Sequence, residues 1–102
     1  MVTIGMYYDV FDDKREIFEQ KFQEVLKAME GIKGHQNSGL YRKVDAPGVY
    51  AILSEWDSQE DFTGFIRSDA FKQVTRWGME GILRGRPRHK VYPRADDLTR
   101  PS

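Results

Sequence analysis

The amino-acid sequence predicts an α+β fold, a four-stranded antiparallel sheet with its helices gathered on one face. Three observations carry that reading. Apolar side chains alternate at period two near the start of the chain, as in a half-buried strand. Further on, two stretches repeat apolar residues at three- and four-residue spacing, as helices do. A Pro-plus-Gly turn, Asp45-Ala46-Pro47-Gly48, joins two further strand-like runs into a hairpin. Read in order, the elements are β-α-β-β-α-α-β, the split βαβ or ferredoxin-like arrangement.

Each element has its own local cause. Ile4, Met6, Tyr8 and Val10 alternate with Thr3, Gly5, Tyr7 and Asp9, which makes residues 2 to 10 the first strand. Acidic Asp12 and Asp13 then suit the positive end of a helix macrodipole. Phe18, Phe22, Val25, Leu26 and Met29 share the face of a helix of about five turns, closed by Gly31 and Gly34. Residues 35 to 44 form the second strand, with Leu40 and Tyr41 as its apolar content. Val49 to Leu53 is a continuous apolar run extending to Trp56, which predicts a strand covered on both faces. Ser58 and Asp61 make a capping box for a short helix bearing Phe62, Phe65 and Ile66. Ser68-Asp69 restarts a helix in which Phe71, Val74, Gly78 and Ile82 share a face. Arg88 to Tyr92 is the last strand, and Pro93 stops it. The expected organisation is one domain over residues 1–93 and a polar tail over 94–102.

Composition removes several classes of function. Sixteen basic residues balance sixteen acidic ones, unlike the strongly basic domains that bind nucleic acid by neutralising phosphates. With no cysteine there is no disulfide framework, thiol redox motif or cysteine nucleophile. No apolar run approaches the roughly 20 residues of a membrane span. The first residues lack a basic segment followed by a long apolar one, so the expected location is the cytoplasm. No Gly-rich nucleotide fingerprint, P-loop or nucleophile elbow is present.

The strand content exceeds what helices on one face can shield. Val49 to Leu53 sends apolar side chains to both sides of the sheet, and Tyr7 lies opposite the Ile4, Met6 and Tyr8 set. We therefore expect a homodimer packed sheet face to sheet face, since about 1,600 Å² of buried surface is a strong incentive to pair.

The stretch Leu53 to Phe62, followed by Ser68-Asp69-Ala70-Phe71-Lys72, resembles the antibiotic biosynthesis monooxygenase family. Trp56, Ser58, Glu60, Phe62, Ser68 and Phe71 carry the likeness, together with Gly34 before the second strand. The element order matches over residues 1 to about 93. The resemblance implies a dimeric α/β barrel with a pocket in each subunit between sheet and helices. It also implies one of several activities, because one scaffold hosts many. Some members are cofactor-independent oxygenases of electron-rich aromatics or quinols, and others bind or cleave haem. The haem-degrading pattern has an Asn on the first strand, a Trp before the Ser-Asp-x-Phe restart and a His on the next helix. Here Met6 and Tyr8 stand near the first position, Phe65 at the second and Thr75 at the third. Thr has no ring nitrogen for iron, which counts against that mechanism.

Candidate chemistry is sparse. His35 and His89 are the two histidines, and in this topology they occupy opposite sheet edges. They cannot share a metal within one subunit, and no metal site is expected. Either could act as a base near neutral pH. His35 is favoured because Asn37, two residues on, is expected to face the same side and share a pocket rim. Tyr8 is the second candidate proton acceptor. Tyr7, Asn37, Phe65, Thr75 and Trp77 are the candidate binding residues, Phe65 by its place in the family pattern. Core packing competes with this role for the aromatics, and for Thr75 a bond to its own helix carbonyl does. Arg84, Arg86, Arg88, Lys90 and Arg94 form a basic run, read either as a solvated edge or as an anion-recruiting one.

Three functions stand open on this reading. The first is a cofactor-independent monooxygenase acting on a small hydrophobic aromatic or quinol ligand. The second is a haem-binding or haem-degrading protein, and the third a non-catalytic dimeric ligand binder.

Overall fold

A computed structural model describes residues 1–92. The polar tail expected over 94–102 lies outside the described residues. Strand β1 (Val2–Asp9) leads through a 3-10 turn (Asp12–Lys14) into helix α1 (Arg15–Met29). Strands β2 (His35–Arg42) and β3 (Val49–Trp56) form the hairpin. Helices α2 (Gln59–Ile66) and α3 (Asp69–Met79) follow, and β4 (Arg88–Tyr92) closes the described chain. The strands lie in the order β2-β3-β1-β4 and every pairing is antiparallel. This is the α+β arrangement expected.

The local signals act where they stand. Ser58 Oγ accepts the Asp61 N–H at 3.2 Å and Ser68 Oγ accepts the Phe71 N–H at 3.2 Å, so both short helices are side-chain capped. Two boundaries differ from expectation. β2 ends at Arg42, because the Lys43 N–H already bonds the Val49 carbonyl across the turn. α3 ends at Met79, so Ile82 is not on that helix. The chain reverses at Gly81, whose φ is +99°, and the Ile82 and Leu83 N–H groups both return to the Gly78 carbonyl. Ile82 and Leu83 are buried all the same, as a turn folded back under α3.

Register sorts the side chains into two faces. Ile4, Met6 and Tyr8 stand beside Ser54, Ile52 and Tyr50, and all six face the helices. There they meet Phe18, Phe22, Val25 and Met29 of α1, and Trp56 at the end of β3 meets Phe62 and Phe65 of α2. The rings interlock: Phe18 stacks on Phe22 at 4.2 Å between centroids, and Tyr8 meets Phe22 edge-on at 4.8 Å.

The opposite face has no cover among the described residues. It carries Tyr7 on β1, Ala51 and Leu53 on β3, Tyr41 on β2, and Arg88, Lys90 and Tyr92 on β4. Tyr41 is 56% exposed and Leu53 38%, so within one chain the β3 run is buried on the helix side and open on the other. The Tyr7 ring lies flat over Gly5, where an added Cβ would come within 2.6 Å of its hydroxyl oxygen. That hydroxyl is hydrogen-bonded to the Tyr92 hydroxyl. Among the described residues, no helix is long and apolar enough to cross a membrane.

Candidate functional site

A cavity of about 350 Å³ lies between the β1–β4 side of the sheet and helices α2 and α3. Its floor is Met6 and Tyr8 of β1. Phe62 and Ile66 of α2 and Phe71, Thr75 and Met79 of α3 form one wall, with Lys72 at the edge. Arg86, Pro87, Arg88 and His89 form the other. The hollow exists because α3 is anchored at its ends. Ser68 caps its start, and Gly78 near its end packs so close to Leu83 that an added Cβ would sit 3.0 Å from Leu83 Cδ1. Between them Phe71, Val74, Thr75 and Trp77 are only half-buried.

His89 enters through strand pairing. It stands beside Met6 in the β1–β4 register, on the helix-facing side, with its ring 5.6 Å from the Phe62 ring. Tyr8 is buried, and its hydroxyl donates to Met6 Sδ at 3.7 Å. Burial pushes the Tyr8 phenol well above its ordinary range, so near neutral pH it stays protonated and serves as a hydrogen-bond donor. Thr75 presents a hydroxyl to the cavity. The bond to a helix carbonyl considered for it forms instead at Thr63, which donates to the Gln59 carbonyl at 3.0 Å.

The cavity is positive at its mouth. Lys72 and Arg86 stand there, and among the described residues no Asp or Glu lines the cavity. Arg84, the first of the basic run, is spent elsewhere: it pairs with Asp9 at 3.6 Å and Asp12 at 3.4 Å. The run therefore divides into Arg84, which ties β1 to the α3–β4 connection, Arg86 at the hollow, and Arg88 and Lys90 on the open sheet face.

Of the candidate residues read from the sequence, Tyr8 and Thr75 line this cavity. The others lie elsewhere. His35 and Asn37 do not share a side, because a bulge between them shifts the register. His35 turns to the helix face at the far edge of the sheet, edge-on to Trp56 at 5.2 Å, with its Nε2 buried and unpartnered. Asn37 faces the open side and donates to Glu55 at 3.0 Å. Tyr7 is also on the open side, with Tyr92. Phe65 is core, 5.6 Å from the Trp56 ring and 5.0 Å from that of Phe71. Trp77, about 200° round the helix from Thr75, faces α1, with Phe22 and Lys21 beside its ring. His89, which the sequence reading weighed as a base but ranked below His35, is the histidine at this cavity. Its signal was the antiparallel return of the last strand beside the first, which sets His89 next to Met6. Among the described residues, no group of three or more His, Cys, Asp or Glu side chains is placed to hold a metal ion.

Fold and site together define a small α+β domain with an open, largely apolar pocket rimmed by positive charge. The chain belongs to the antibiotic biosynthesis monooxygenase family, whose sequence profile matches residues 1–77. A protein of Haloarcula marismortui named "Putative heme-binding protein" is 38% identical over 87 residues, which is 85% of this chain and 13% of that protein. This chain thus spans a small part of that curated relative. Among solved structures, a conserved protein from Methanosarcina mazei superposes with a TM-score of 0.82 at 20% identity, covering 91% of each chain. A protein from Nitrosomonas europaea, titled "Putative antibiotic biosynthesis monooxygenase", gives 0.83 at 12% identity and covers 92% of this chain and 89% of that one. At those identities the likeness is one of fold.

Proposed function

We propose that this chain is a cofactor-independent oxygenase whose cavity takes an electron-rich aromatic, a phenol or quinol. One observation carries the reading: an imidazole, His89, faces an apolar hollow of ligand size with cations around it. A ligand carrier needs no proton acceptor there, whereas this chemistry begins with one.

The steps follow from the lining. His89 takes the phenol proton, and the surrounding positive charge favours the resulting anion. Thr75 and Tyr8 offer hydroxyl donors to substrate oxygens, while Met6, Phe62, Ile66 and Phe71 exclude water. The anion passes one electron to dioxygen, and the radical pair closes a carbon–oxygen bond to give a hydroperoxide. Loss of water then leaves a carbonyl. For a phenol with a free ring C–H, substrate and O2 become quinone and water. All the electrons come from the substrate, so no further reductant is required. We also propose that two copies pair through the open sheet face, which would cover Leu53 and Tyr41.

The test is oxygen uptake with a panel of naphthols and dihydroxynaphthalenes, run with chelator present. Uptake that yields quinone, falls at least about tenfold in His89→Ala and survives in His35→Ala is the expected result. No uptake above the uncatalysed rate across the panel overturns the reading.

Haem binding is the second reading, favoured by His89 and by the printed name of the Haloarcula relative. The residues fit the group: His89 is a nitrogen donor on the cavity wall, and Lys72 and Arg86 match two propionates. Bound there, haem would supply one-electron and dioxygen chemistry. Titrating the protein with hemin and finding no Soret shift, or one unaffected by His89→Ala, removes this reading.

A further inference from the structure

We infer that the cavity selects aromatic substrates bearing a carboxylate, held by Lys72 and Arg86 across the mouth from one another. This deepens the proposed function and rests on that reading of the cavity. A single phenolate at His89 calls for one positive neighbour, and the hollow has two. They stand on two walls, Lys72 on α3 and Arg86 on the segment entering β4. Neither is in an ion pair among the described residues, in contrast to Arg84, which meets two aspartates. No Asp or Glu among the described residues lines the cavity to neutralise them. Arginine's planar fork matches a carboxylate with two parallel hydrogen bonds, and the apolar lining matches the ring that carries it. The substrate is then anchored by one end while its phenol lies against His89.

Two matched probes test this, 1-hydroxy-2-naphthoate and 1-naphthol, with binding followed by calorimetry on the whole chain. The acid should bind about tenfold more tightly, the sum of two partly screened charge contacts. That advantage should shrink as salt rises from about 0.05 to about 0.5 M. Lys72→Met and Arg86→Gln should each reduce the preference for the acid over 1-naphthol several-fold. Lys90→Gln removes an equal charge from the opposite sheet face and should keep the preference. Thr75→Trp, which fills the cavity, should abolish binding of both probes. Equal affinity for the two probes overturns the carboxylate inference and leaves the cavity as a phenol site. Acid binding that survives Thr75→Trp, or a preference lost equally in Lys90→Gln, also overturns it. If neither probe binds, the inference and the function beneath it fall together.

Discussion

Trp56 Nε1 donates to Ser54 Oγ at 2.9 Å, and both residues are fully buried. They sit two apart on β3, on the face that meets the helices, where the indole packs against Phe62, Phe65 and His35. The serine is the buried polar residue that lets the largest core side chain lie in an apolar layer. Ser54→Ala should leave the indole N–H without a partner and cost about 1–3 kcal/mol, read by urea denaturation. Trp56→Phe with Ser54→Ala removes both polar groups. It should recover part of the hydrogen-bond loss while keeping the penalty for the smaller ring.

Two glycines should respond to alanine with opposite sign. Gly48 has φ +97°, and an added Cβ would meet the Val10 carbonyl oxygen at 2.8 Å. That approach is fixed by the Val10 N–H, which donates to the Gly48 carbonyl at 2.7 Å. Gly48→Ala should destabilise by about 2–3 kcal/mol. Gly64 lies exposed within α2 with nothing inside 4 Å of an added Cβ. Gly64→Ala should stabilise by about 0.5–1 kcal/mol, a rise of several degrees in Tm by calorimetry.

Alkaline pH should weaken the fold through Tyr8 and Tyr50. Burial raises both phenols, Tyr50 to about 12, where its hydrogen bond to Glu19 adds to the effect. A raised folded-state pKa means that the folded chain holds its proton longer than the unfolded chain, whose tyrosines release theirs near 10. The stabilisation is therefore complete below pH 10 and is lost as pH rises through the folded values. Each group should contribute a slope of about 1.4 kcal/mol per pH unit. Tyr8→Phe should change stability little at pH 7, since its hydroxyl makes a weak bond to sulfur, and should flatten the decline above pH 10. A decline of unchanged steepness in that variant would contradict the assignment.

Charge on the open sheet face should separate paired copies. Leu53 stands in the middle of that face, beside Gly5 and Gly39 in register. Sedimentation of the parent chain should give about twice the 11.9 kDa of one copy, and Leu53→Glu should give the single mass with helix content retained.

Most of the architecture was legible along the chain because its causes are local. Alternation at Ile4, Met6 and Tyr8, the three- and four-residue spacing from Phe18 to Met29, and the caps at Ser58 and Ser68 each act within a few residues. The same patterns showed that one side of the sheet would lack cover. The chemistry was less legible. His35 and Asn37 were expected to share a side by simple alternation, and one bulge residue put them on opposite faces.

What the sequence determined by itself was the order of elements, their caps, and the apolar surplus on β3, all consequences of short-range periodicity. What only the tertiary structure decided was which side chains meet. His89 faces the hollow because β4 pairs with β1 and sets it beside Met6, while Arg84 and Arg86, two residues apart, part company between Asp9 and the cavity. Strand pairing joins residues from opposite ends of the chain. A site assembled in that way depends on register and on how closely α3 approaches the sheet, which no short window of sequence contains.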